Sequence, residues 1–191
     1  MQEIEFPEGF ELVDYETKIL QRDAQLRIKL LGIFQEIFSD SPTDELIHES
    51  NLLDHVLGFH EPCLCFWSLL FHEQQPIGMI TYIQYTNTMF VFNLSILPRI
   101  QNKGLGSALL AHVAVKALTR FKQPSLSGNV NTDKDKLIDA YKTMGAIEYP
   151  LGISSKQSKP PSNIRMKADF NEQELELFIT RTNIKLNDLL P

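Results

Sequence analysis

Apolar and polar residues alternate over 10–15 (Phe-Glu-Leu-Val-Asp-Tyr), the period of a strand with one buried face. Ile19, Leu26, Leu30, Ile33, Phe34 and Ile37 then recur at helical spacing and predict a helix over 18–38. Asp40-Ser41-Pro42 reads as a stop followed by a start, because Ser41 can cap a helix and Pro42 suits its first position. Leu46, Ile47, Leu53, Val56 and Leu57 extend that start into a second helix over 43–57. Three strands follow, over 63–71, 77–85 and 89–97, separated by turns at 73–76 and 86–88. A long helix over 105–122 leads to a strand over 125–131 and a helix over 133–144 that Gly145 closes. A strand begins at 147–149, a Ser-, Lys- and Pro-rich surface loop spans 150–163, and a last strand runs over 164–168. A terminal helix covers 171–184, with Asn171 and Glu174 at capping-box spacing. The order predicts a mixed α/β domain in which a crossover helix follows the third strand of a meander.

Composition adds limits. At 191 residues, 43% hydrophobic and 22% charged, the chain has the makeup of one soluble globular domain. No apolar run approaches the roughly 20 residues needed to span a bilayer. Met1-Gln2-Glu3-Ile4-Glu5 lacks the basic start of a signal peptide, and Cys63 and Cys65 read as buried thiols, so a reducing cytoplasm is expected. The net charge of −6 divides unevenly. Residues 1–60 hold 13 acidic and 4 basic side chains, and residues 99–191 hold 9 and 14. An acidic chain is a poor nucleic-acid partner, while its basic half suits a small anion. His48, His55, His60, His72 and His112 make no helical pair, and His60, Cys63 and Cys65 make no zinc spacing, so no metal is expected.

The candidate chemistry sits between the strand over 89–97 and the helix over 105–122, at Gln101-Asn102-Lys103-Gly104-Leu105-Gly106-Ser107. Glycines let backbone approach a ligand, and a helix start offers unpaired N–H groups and the positive end of a dipole. Arg99 and Lys103 add charge, and Ser107 adds a donor. A Walker loop needs its lysine after the last glycine, which this segment lacks. A dinucleotide fingerprint needs a third glycine where Leu109 stands. Ile96-Leu97-Pro98 followed by Gln101-x-x-Gly104-x-Gly106 matches hydrophobic-x-Pro and then Gln/Arg-x-x-Gly-x-Gly/Ala. This resembles the pyrophosphate-binding segment of the GNAT superfamily of N-acetyltransferases.

The resemblance implies an α/β fold with a central, mixed, mostly antiparallel sheet flanked by helices, which is the order already read from periodicity. It implies acetyl-CoA as donor and an amine as acceptor, with backbone N–H groups of Asn102, Lys103, Gly104, Leu105, Gly106 and Ser107 on the pyrophosphate beside Gln101. Backbone groups of Leu94, Ser95 and Ile96 would pair with the pantetheine arm. Tyr141-x-x-Met144-Gly145 matches the family's Tyr-x-x-hydrophobic-Gly, which makes Tyr141 the group that assists the departing thiolate. The family's pantetheine-contacting asparagine is replaced by Lys134, with Asn131 nearby as a substitute. The strand over 89–97 carries no carboxylate; Asn93 and Ser95 could orient a water, and Glu61, His72, Glu73 and Asp133 are the nearby base candidates. A charged residue at Gly104 is expected to abolish CoA binding without unfolding the protein.

Residues 1–170 are expected to form the acetyltransferase domain, and 171–191 a helical extension packed on it. A monomer or homodimer that binds neither nucleic acid nor membrane is expected. The missing carboxylate leaves a second reading open, a module that binds acyl-CoA and transfers nothing. Acidic N-terminal helices over 18–38 and 43–57 hint at a cationic acceptor.

Overall fold

The computed structural model describes residues 4–37, 65–131, 135–149, 163–169 and 171–188. Its elements are β1 (Phe10–Glu16), α1 (Thr17–Arg22), α2 (Ala24–Ile37), β2 (Cys65–His72), β3 (Gln75–Gln84) and β4 (Met89–Ile96). A short 3-10 turn (Pro98–Ile100) leads to α3 (Leu105–Thr119), β5 (Ser125–Asn131) and α4 (Asp135–Thr143). The chain closes with β6 (Ile147–Tyr149), β7 (Asn163–Asp169) and α5 (Glu172–Asn187). The helix expected over 43–57, Cys63 and most of the loop over 150–163 lie outside the described residues.

The helix expected over 18–38 is two helices. Asp23 separates them, and its carboxylate accepts the backbone N–H of Leu26 at 2.9 Å. An aspartate side chain that can bond nearby backbone N–H groups starts a new helix more readily than it continues an old one. The long helix ends at Thr119, three residues earlier than periodicity predicts, because Lys122 turns into positive φ and Gln123 N–H returns to the Ala117 carbonyl.

The strands form one sheet in the order β1-β2-β3-β4-β5-β7-β6, with β4–β5 the parallel pair and the others antiparallel. The sheet is therefore mixed and mostly antiparallel, as expected. α3 lies along β3, β4 and β5, and α5 packs on α3. Leu105, Ala108, Leu109, Val113 and Ala117 of α3 are buried with Leu70, Ile80, Tyr82 and Leu126 of the sheet in the same core. On the other face, Trp67 Nε1 donates to Thr17 Oγ1 at 3.1 Å, and that hydroxyl donates to the Cys65 carbonyl at 3.0 Å, tying α1 to β2.

A charged cluster joins α3 to the edge strand. Asp14 of β1 accepts from Ser68 Oγ at 2.5 Å, contacts His112 Nε2 at 3.1 Å and pairs with Lys116 Nζ at 2.7 Å. Partial burial opposes the Asp14 charge, but hydrogen bonds from His112, Lys116 and Ser68 outweigh it and hold the carboxyl well below its ordinary value. Asp14 is thus more acidic folded than unfolded, so its stabilisation is present above about pH 4 and fades as pH falls below that. Asp14→Asn leaves Lys116, whose side chain is only 12% exposed, without its carboxylate. We expect denaturant titration to show a loss of about 1–2 kcal/mol at pH 7, kept modest because Asp14 is partly solvated. The variant should also lose part of the stability decrease that wild type shows between about pH 4 and pH 2.

Candidate active site

The parallel pair β4–β5 is joined only by Met89 with Leu126, Phe90 with Ser127 and Val91 with Gly128. Beyond these residues the strands part. At the closed end Thr88 Oγ1 donates to the Ser125 carbonyl at 3.2 Å, and Ser125 Oγ donates to the Asn87 carbonyl at 3.0 Å. At the open end β4 carries a bulge. Thr81 faces Asn93 but Tyr82 faces Val91, so Phe92 is an extra residue that bends the strand. From Asn93 to Ile96, β4 pairs with β3 on one edge and has no strand pairing with β5 on the other. Backbone groups on that edge, at alternate residues such as Leu94 and Ile96, are therefore left without a strand partner, as a strand-like ligand would require.

Tyr141 meets the gap at its apex. Its side chain is 1% exposed, and a Cβ placed on Gly128 would collide with its hydroxyl and lie 3.3 Å from the Val91 carbonyl oxygen. Glycine at 128 is thus what lets the phenol reach the last paired residues. Gly145 N–H bonds to the Lys142 carbonyl and Ala146 N–H to the Tyr141 carbonyl, at 3.0 and 2.9 Å, which fixes the end of α4. Burial pushes the phenol above its ordinary pKa, so it keeps its proton throughout the neutral range.

The glycine turn lies at the far end of the parted segment. Asn102 and Gly104 have φ of 66° and 84°, and no side chain caps the start of α3. The first N–H groups of α3 are left for an outside acceptor. Leu105 is buried, so only its backbone can face a ligand, whereas Asn102 and Lys103 are exposed. A Cβ on Gly106 would meet nothing within 4 Å, which marks open space in the cradle. These features fit the phosphates of acetyl-CoA. The Gln101 side-chain amide donates to the Ile96 carbonyl at 2.8 Å, bracing the strand end against the turn.

Two residues that the sequence reading passed over join the turn. Lys136 Nζ donates to Asn102 Oδ1 at 2.7 Å. The stem of Lys185, on α5, covers Gly104, so that a Cβ there would lie 3.2 Å from Lys185 Cβ. Neither is readable from spacing, because both arrive from other helices. Asn131 ends β5 opposite Asn163, and Lys134, Glu61 and Asp133 lie outside the described residues. His72 and Glu73 stand at the β2–β3 turn, where His72 packs on Phe10 with ring centroids 4.5 Å apart, so the fold does not bring them to the gap. Among the described residues no group of three or more His, Cys, Asp and Glu could hold a metal.

Residues 25–146 match the model of the acetyltransferase (GNAT) family, well over half of the chain. The chain belongs to that family. This acetyltransferase is therefore of a kind that uses acetyl-CoA. No curated protein is significantly similar to it in sequence. Its fold is similar to that of an acetyltransferase from Streptococcus agalactiae, with 11% identity, a TM-score of 0.66, and 86% of this chain and 100% of that one covered. The ribosomal-protein-S18-alanine N-acetyltransferase of Escherichia coli aligns with 20% identity and a TM-score of 0.57, covering 85% and 97% of the two chains. The N-acetyltransferase PseH of Campylobacter jejuni, in complex with acetyl coenzyme A, aligns with 13% identity and a TM-score of 0.55, covering 84% and 100%. Among the described residues no helix is long and apolar enough to cross a membrane.

The two glycines of the turn differ as test positions. A side chain at Gly104 meets both the positive φ and Lys185, so Gly104→Asp would destabilise the fold by about 1–2 kcal/mol and confuse the readout. Gly106 has ordinary φ and open space. Gly106→Glu should weaken CoA binding by calorimetry on the order of 100-fold, through like charge in the cradle. A glutamate in the first helical turn should at the same time leave thermal stability equal or slightly higher.

Proposed function

We propose that this acetyltransferase moves an acetyl group from acetyl-CoA to a primary amine of a small molecule or peptide, by direct attack in a ternary complex. The observation that carries the reading is Tyr141 held at the apex of the β4–β5 gap, with the phosphate turn at the gap's other end. Acetyl-CoA supplies an acetyl group activated as a thioester, whose C–S bond breaks as the amine's C–N bond forms. The turn from Asn102 to Ser107 binds the phosphates, with Gln101 behind it and Lys103 beside it. Leu94, Ser95 and Ile96 orient the pantetheine arm through backbone groups, with Asn131 at the end of β5 beside it. Tyr141 donates a hydrogen bond to the developing thiolate. Its raised pKa makes complete proton transfer to a thiolate whose conjugate acid has a pKa of about 8.5 unfavourable, so the hydrogen bond itself is the catalytic contribution. Asn93 accepts a hydrogen bond from Ser95 at 2.6 Å, and this pair orients a water that takes the amine's proton. The buried position of Cys65 suits a reducing cytoplasm.

Thiol release with a panel of amines tests the reading. Tyr141→Phe keeps the buried ring and removes only the hydroxyl, so kcat should fall roughly 10- to 100-fold while CoA affinity changes little. In wild type, no alkaline loss of rate below about pH 10 should trace to Tyr141, since burial keeps its proton in place. CoA binding without thiol release from any amine would instead support the non-catalytic module.

A further inference from the structure

The sheet register separates the two faces of the gap. Ile83 pairs with Phe90, Thr81 with Asn93, and Met79 with Ser95, so Phe90, Asn93 and Ser95 share one face. Phe90 pairs with Ser127, and Asn129, two residues on, pairs with Arg165 of β7, which puts Asn129 and Arg165 on that face too. Gly128 alternates with its neighbours, and its missing Cβ points at the Tyr141 hydroxyl. Tyr141 therefore enters the gap from the opposite face. The face that carries Asn93 and Ser95 is left for the amine.

On that face Arg165 is fixed from two strands. Its Nε–H donates to Asn129 Oδ1 at 3.2 Å, and its guanidinium stands 5.6 Å from the centroid of the Phe90 ring. Asn129 is the first residue of β5 past the last β4–β5 pair. The guanidinium thus sits half-buried where the strands begin to part, with its terminal N–H groups uncommitted to any carboxylate among the described residues. Lys167, its neighbour on the same face, is paired with Asp169 at 2.8 Å. A planar fork held in this way matches a carboxylate or phosphate in a bidentate manner.

We infer that Arg165 is a specificity-determining residue, and that the acceptor amine carries an anionic group, carboxylate or phosphate, which Arg165 binds. The inference rests on the transferase reading and replaces the cationic acceptor that the acidic N-terminal half suggests. Of the carboxylates on the helices behind that suggestion, Asp23 accepts the Leu26 N–H at 2.9 Å and Glu36 pairs with Arg99 at 3.4 Å, while Asp44, Glu45, Glu49 and Asp54 lie outside the described residues.

The test compares matched acceptors: free α-amino acids against their decarboxylated amines, and aminoalkyl phosphates against amino alcohols of the same length. Wild type should acetylate the anionic member of at least one series with the higher kcat/KM, and the series that responds identifies the anion. Arg165→Met keeps an apolar stem over Phe90 and removes the guanidinium. It should raise KM for the anionic acceptor about 10- to 100-fold and leave CoA affinity and the rate with neutral amines unchanged. Arg165→Lys, which retains charge without the fork, should recover only part of the loss. Equal use of both members of every pair, or a uniform effect of Arg165→Met on all acceptors, overturns the inference and leaves the transferase reading standing. Thiol release with no acceptor at all, despite CoA binding, overturns both.

Discussion

The site depends on one constraint, the parting of two parallel strands after three residue pairs. Sheet strands ordinarily keep their pairing, because every unpaired backbone group exchanged for nothing costs free energy. Here three devices end it. The Phe92 bulge bends β4, Tyr141 stands against Gly128, and the hydroxyls of Thr88 and Ser125 hold the other end shut. The outcome is a strand edge inside the sheet, open to a ligand that can itself hydrogen-bond like a strand. An edge of this kind is usually an aggregation hazard, and its location within a seven-stranded sheet protects it.

The helices set the ends and faces of that gap. α3 brings its uncapped N-terminus to the turn that follows β4, and α5 lays Lys185 over the same turn. The α5 cap is simpler than a full capping box. Asn171 accepts from Gln173 N–H at 3.0 Å, while the Glu174 carboxylate lies against Gly145. α5 thus touches both the end of α4, which positions Tyr141, and the phosphate turn. The Asp14 cluster holds α3 to the far edge of the sheet, so the turn, the tyrosine and the strand edge are referred to one rigid layer. Charge is distributed accordingly: cations gather at the turn, and Asp14, Glu16 and Glu36 pair locally.

Much of this was legible in the chain itself. Periodicity alone gives the order of strands and helices, and Gly104-x-Gly106 after Ile96-Leu97-Pro98 marks the glycine turn because consecutive residues make it, with Gly104 at a positive φ of 84°. Tyr141 is legible because Met144 and Gly145, which follow it closely, end its helix. The break at Asp23 is missed because apolar spacing continues across it, while a single side-chain hydrogen bond decides the outcome. The Phe92 bulge is invisible because an extra residue in an apolar strand leaves no compositional mark.

What the sequence by itself determined is therefore local: the elements, the glycine turn, the tyrosine and the family they resemble. Only the tertiary structure decided that Gln101 braces Ile96, that Lys136 and Lys185 reach the turn, and that Arg165 faces the gap. The reason is physical. A motif whose geometry is made by consecutive backbone dihedrals can be read along the chain. A side chain that acts through a partner 34 or 36 residues away, as Lys136 does with Asn102 and Arg165 with Asn129, has its role set by strand register and helix packing.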